Sequence, residues 1–307
     1  GGATSLGRYA SAAVPTGPRA VWGGNGFPIT NTMQYVTIAN TGNASDFGNL
    51  LATRRWLAAC SNGSRGLFGG GYNTNQIQYI TIANTGNATD FGDLVQNRYA
   101  LGSMSSNTRG IFGGGDNSGA PTTIDYVTIA STGNASDFGD MYDDIYSTTG
   151  TASNTRGIFA GGTSSGGDTY SNSMQYITIA STGNASDFGN LAVGTRLAAG
   201  CDNDTRACYS GGESASNTYT NTIQYVTIAS TGNATDFGDL LDDKNGGPSG
   251  AADSDRGVTG IDRGVIGGGY SPSQNRIQYI TISSTGNSTD FGDLYEAAWN
   301  FSCTSGL

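Results

Sequence analysis

The chain has 307 residues, a formal charge of −10, a single lysine beside 13 arginines, and no histidine. It has no cationic patch to follow a phosphate backbone, which argues against nucleic-acid binding, and no run of eighteen apolar residues to insert into a membrane. Without imidazole the commonest general base, the usual zinc ligand and every imidazole-dependent triad are missing, so the expectation is a non-enzymatic protein with no cofactor and no metal.

In chain order the sequence is one unit written six times. The phrase T-G-N-(A/S)-(S/T)-D-F-G-(D/N) begins at Thr41, Thr85, Thr132, Thr182, Thr231 and Thr285, at spacings of 44, 47, 50, 49 and 54 residues. Each copy follows an (I/M)-Q-Y-(V/I)-T-I run, except that the third reads Ile124-Asp125-Tyr126-Val127-Thr128-Ile129. A near-fixed period of this length marks an array of one supersecondary unit. The 50 glycines recur at fixed places beside β-branched runs, so they read as turn and close-packing positions.

The first unit, 8–50, sets Arg8-Tyr9 against Arg98-Tyr99 and Arg19 to Gly24 against the segment from Arg109. The N-terminal segment is therefore expected to supply all four of its strands. The second unit, 54–94, reads most plainly: first strand 54–60, turn 61–64, second strand 65–71, loop 72–76, third strand 77–83, turn 84–88 and short fourth strand 89–94. The others follow at 98–141, 145–191, 195–240 and 249–294. Four short strands with tight turns form an antiparallel meander, and six such sheets arranged radially form a β-propeller. The predicted fold is all-β: a six-bladed β-propeller of four-stranded antiparallel blades over 1–294. The tail 295–307 reads as a C-terminal extension or as a strand that closes the ring beside blade 1 and removes an exposed edge.

In such a meander the turns between strands one and two and between three and four share one face, which here is nearly constant. The other loops share a variable face, and loops on a rigid scaffold are where binding resides. They include 25–28, 116–121, 164–173, 213–222, 271–276 and the longest, 241–252. Candidate ligand-binding residues are Tyr72, Tyr170, Tyr219 and Tyr270, with Asp242, Asp243 and Lys244 in the longest loop. Tyrosine among Ser, Gly and Asn suits polar recognition, sugars included; tolerated surface loops without a ligand are the alternative.

Several constellations repeat. Each unit carries an arginine (Arg19, Arg65, Arg109, Arg156, Arg206, Arg263) and an aspartate (Asp46, Asp90, Asp137, Asp187, Asp236, Asp290) near the constant face, expected to pair structurally. Asn87, Asp90 and Asp93 and their counterparts form too sparse an oxygen set for calcium. Asn43, Asn87, Asn134, Asn184, Asn233 and Asn287 each open an N-x-(S/T) triplet, a turn or, in a glycosylating host, a glycan acceptor. Cys201 and Cys208 are expected to face each other across a hairpin, as a local disulfide or as two buried thiols.

The unit resembles the kelch-type blade, on Arg54, Gly69-Gly70, Tyr79, and Phe91 with Leu94, over residues 8–294; Phe91 stands where that family usually has tryptophan. Strings such as TIASTGNATDFGDL and SNTRGIFGGG are similar to repeats in virion structural and tail-fibre-like proteins of tailed, especially marine, bacteriophages. That resemblance implies a virion-surface or extracellular role: a tail-fibre or appendage propeller presenting variable loops to a host cell-surface glycan or protein, multimeric with other virion or filament subunits. An architectural subunit that polymerises into a filament, and a secreted microbial lectin, are the alternatives.

Overall fold

The computed structural model describes residues 18–26, 28–117, 121–164, 170–215, 218–242, 249–252, 262–269, 274–298 and 301–306. They form six four-stranded antiparallel sheets, and no helix occurs among them. Blade 2 is representative: Ala58–Ser61, Arg65–Gly69, Gln76–Thr81 and Thr89–Asp93 pair in that order. The first strands lie innermost and touch one another around the axis. Small residues allow this: a Cβ on Gly150 would lie 2.2 Å from the Ser103 carbonyl oxygen. The hydroxyls of Ser103, Ser105 and Thr149 donate to main-chain carbonyls of adjoining blades. At four of the six junctions an aromatic of one second strand lies on the terminal glycine of the preceding one, as Phe112 does on Gly69.

Blade 1 departs from the expectation. Its sheet consists of Ser302–Gly306, Arg19–Gly23, Thr32–Thr37 and Ser45–Asn49. The C-terminal strand occupies the innermost place expected for the segment at Arg8-Tyr9, which lies outside the described residues. Phe301 and Cys303 are fully buried, so the tail brings its own core contacts. The ring is closed by joining the last strand to the first blade.

The repeated phrase forms the outer seam between blades. Gly86 and Ala88 donate backbone hydrogen bonds to the carbonyls of Phe47 and Asn49, and Asn87 Oδ1 accepts from the Asn49 N–H at 3.0 Å. The same three bonds recur at every junction, ending with Gly42, Asn43 and Ala44 against Phe291 and Asp293. Each outer strand carries a bulge that turns the phenylalanine of D-F-G into the core, edge-on to the third-strand tyrosine, as with Phe91 and Tyr79. The glycine after it must be glycine. Gly92 has φ +147°, and a Cβ there would lie 2.4 Å from the Gly133 carbonyl oxygen.

The expected Arg–Asp pairing is absent. Asp46, Asp90, Asp137, Asp187, Asp236 and Asp290 are all exposed on the outer strands. The arginines turn instead to the next blade. Arg19 donates to Ile82 O and Ala83 O, Arg65 to Ile129 O and Ala130 O, and Arg109 to Ile179 O. Arg156 donates to Ile228 O and Ala229 O, Arg206 to Ile282 O and Ser283 O, and Arg263 to Ile38 O and Ala39 O. Each guanidinium lies 4.5–4.6 Å over the tyrosine of its own third strand. Carbonyls at the end of the neighbouring strand would otherwise lack donors, and a planar, always-charged fork over an aromatic face supplies them. Cys201 and Cys208 do oppose each other in register, as two buried free thiols.

Candidate functional site

On the variable face, backbone pairing continues past the glycines that end each second strand. The residue after those glycines meets the residue leading into the blade's first strand: Tyr72 N–H donates to Arg55 O, Tyr99 and Asp116 exchange two backbone bonds, and Arg196 and Glu213 do the same. The lead-in then turns sharply, with Trp56, Ala100, Ser147 and Leu197 at φ 55–62°. Ala100 N–H donates to Trp56 O, Ser147 to Ala100 O and Leu197 to Ser147 O, which links the lead-ins of blades 2 to 5 around the mouth. The pair of side chains at these two positions changes from blade to blade: Arg55 and Tyr72, Tyr99 and Asp116, Tyr146 and Thr163, and Arg196 and Glu213 in blades 2 to 5.

Between blades 2 and 3 this places four side chains together. Trp56 and Tyr99 stack with centroids 5.2 Å apart and planes at 27°, and Tyr72 closes the group at 5.8 Å from Trp56 and 5.5 Å from Tyr99. The Arg55 guanidinium lies 4.4 Å from the Trp56 ring centroid and 4.7 Å from that of Tyr72. Tyr99 donates its phenolic hydrogen to Asp116 Oδ2 at 2.6 Å. Partial burial and this bond push the phenol up to about 12, so it stays a donor at any physiological pH. Beside the group lies a pocket of about 300 Å³ lined by Tyr72, Asn73, Asn97, Arg98, Tyr99, Asp116 and Asn117. Beneath it, Arg98 and Asp125 form an ion pair at 2.8 Å with both side chains fully buried.

A second group sits at the same two positions in blade 5. Arg196 holds Glu213 through Nε at 3.0 Å and Nη2 at 2.9 Å, and Tyr170 donates to the other carboxylate oxygen at 3.0 Å. The Arg196 guanidinium lies 5.1 Å from the Tyr170 ring centroid. In blade 4 the same two positions are Tyr146 and Thr163, paired in register. Aromatic and charged side chains thus follow one another along the mouth from blade 2 to blade 5.

Of the residues singled out from sequence, Tyr72 and Tyr170 belong to these groups, and Tyr219 lies in a short ribbon in register with Glu213. Asp242 forms an ion pair with Arg276 and belongs to neither group. Asp243, Lys244 and Tyr270 lie outside the described residues, and residues 249–252 of the longest loop are the first strand of blade 6. Arg55, Trp56 and Tyr99 escape sequence reasoning because 54–60 and its counterpart from Arg98 read as unbroken first strands, and Asp116 falls in the variable loop 116–121 without being singled out; the non-glycine left-handed turn at Trp56 has no local sequence signal. Depressions on the constant face recur at corresponding positions in blades 1 and 5, along the seam. Among the described residues no three His, Cys, Asp or Glu side chains gather as metal ligands.

No protein-family model and no curated protein sequence matches the chain. Its fold is matched by 569 solved chains, too many for the fold to identify a function. One, described as the structure of YjhT, superposes with a TM-score of 0.66 at 10% identity, covering 82% of this chain and 87% of that one. At that identity the likeness concerns the six-bladed propeller alone.

Proposed function

We propose that this protein is a non-enzymatic recognition propeller of an extracellular appendage, of the tail-fibre kind, that binds a host-surface glycan or protein through its variable face. The observation that carries this reading is a division of labour among residues. Among the side chains common to all six blades, the arginine, asparagine, tyrosine and phenylalanine are engaged in seams and core, and the aspartates and turn residues are exposed away from the mouth. The aromatic and charged side chains that differ between blades gather at one mouth. The similarity of the repeat strings to phage virion proteins supports the setting, and several copies on one particle would let weak contacts add by avidity.

The test is binding of the purified chain to candidate host cells and to a glycan array. The double variant Trp56→Ala/Tyr72→Ala should lose at least about tenfold in apparent affinity, since large rigid aromatics dominate such contacts. Altering the exposed constant-face residue Thr132 should change nothing. Filaments with the variable faces buried between subunits, and no cell or glycan binding, would replace this reading with a purely architectural one.

A further inference from the structure

The pocket between blades 2 and 3 is specific enough to name a ligand class. Its lining is mostly polar and includes two phenol rings. Asn73, Asn97 and Asn117 offer amides that both donate and accept, which is what a ring of vicinal hydroxyls requires. Tyr72 is 45% exposed and belongs to a packed aromatic group, so its ring is presented at little cost in side-chain freedom. A volume of about 300 Å³ is at the small end for ligand sites and fits one sugar ring rather than an oligosaccharide.

The charges decide which sugar. Arg98 lines the pocket, but its charge is matched by Asp125 at 2.8 Å and two of its bonds go to the carbonyls of Gly114 and Thr123. Asp116 is the lining carboxylate, and the Arg55 guanidinium, 4.7 Å from the Tyr72 ring centroid, brings one positive charge to the same aromatic group. With positive and negative charges balanced, an ionised ligand gains nothing, and an acidic sugar would bring its carboxylate up to Asp116. We infer that this pocket binds a single uncharged hexopyranose residue, with Asp116 and the asparagine amides holding hydroxyls and Tyr72 lying along its C–H groups. This rests on the recognition reading above and narrows it to one pocket and one chemical class.

The experiment is ligand-observed NMR and calorimetric titration of the full chain with methyl glucoside, methyl galactoside, methyl mannoside, N-acetylglucosamine, glucuronic acid and N-acetylneuraminic acid. At least one uncharged sugar should bind saturably, and both acids should bind at least tenfold more weakly. Asp116→Ala and Tyr72→Ala should each weaken binding at least tenfold, while Tyr142→Ala, an exposed tyrosine elsewhere on the same face, should leave it within twofold. The Tyr72 N–H bond to Arg55 O is kept in the alanine variant, so Tyr72→Ala remains informative if Asp116→Ala unfolds. Tighter binding of the acids, binding untouched by Tyr72→Ala, or no binding of uncharged sugars would each overturn the inference. If the chain still binds cells in that event, the recognition reading survives without this pocket; if it binds neither, both fall.

Discussion

In five blades a third-strand glutamine (Gln34, Gln78, Gln175, Gln224 or Gln278) accepts a hydrogen bond from the backbone that follows the preceding blade's outer strand. In blade 3 Asp125 takes that bond from Val95, and Arg98 supplies the matching charge. Removing either partner alone leaves a buried charge, so Arg98→Met or Asp125→Gln should each cost about 3–5 kcal/mol in denaturant unfolding. The double variant restores the glutamine of the other blades and should be within about 1 kcal/mol of the parent or more stable. Burial pushes the Asp125 carboxyl above its ordinary 3.8, against the pull of Arg98 and the Val95 N–H. The folded state therefore keeps that proton longer than the unfolded chain, and its stability falls as pH rises from about that value through the folded one. The double variant lacks this loss, so its stability relative to the parent should be greater at pH 7 than at pH 4. Gly92→Ala tests the seam: its Cβ would meet the Gly133 carbonyl at a disfavoured φ, for a cost of about 2–4 kcal/mol by the same measurement.

At the scale of strands, the closing element carries the sharpest consequence. Ser302–Gly306 is the innermost strand of blade 1, and Ser302 Oγ also donates to Leu57 O in blade 2 at 2.6 Å. Deleting residues 301–307 removes a buried phenylalanine and a five-residue pairing. The midpoint of thermal unfolding should fall by about 10 °C or more, with a broader transition by calorimetry. Alternation and turn residues make the strands of blades 2 to 6 legible in the sequence. Blade 1 is not legible in the same way, because Arg8-Tyr9 and the tail both carry first-strand wording, and only three-dimensional closure chooses between them. The destination of Arg65 is hidden for a related reason. Asp90 is near in sequence, whereas the carbonyls it reaches belong to residues 64 and 65 positions later. The candidate site is half legible: composition points to Tyr72, but not to the turn that brings Trp56 and Tyr99 beside it.

At the scale of the whole molecule, two faces with different chemistry sit on one rigid ring. If the protein is mounted on a particle as proposed above, electron microscopy should show the mouth lined by Tyr72, Tyr99 and Tyr170 pointing outward, with the constant face toward the attachment. A stack with that mouth covered by the next subunit would contradict the assignment of the variable face to recognition. The outer seam has a further consequence. Its bonds are the same at all six junctions, including the one between the last blade and the first. Those three bonds do not distinguish blade 2 from blade 5, so along the outer seam one blade edge is equivalent to another. A circular permutant opened at residue 96, with its present ends joined by a linker, would present the same six edges to one another. The outer seam therefore sets no order among the blades, and what is particular to one joint lies inward, in the closing strand Ser302–Gly306.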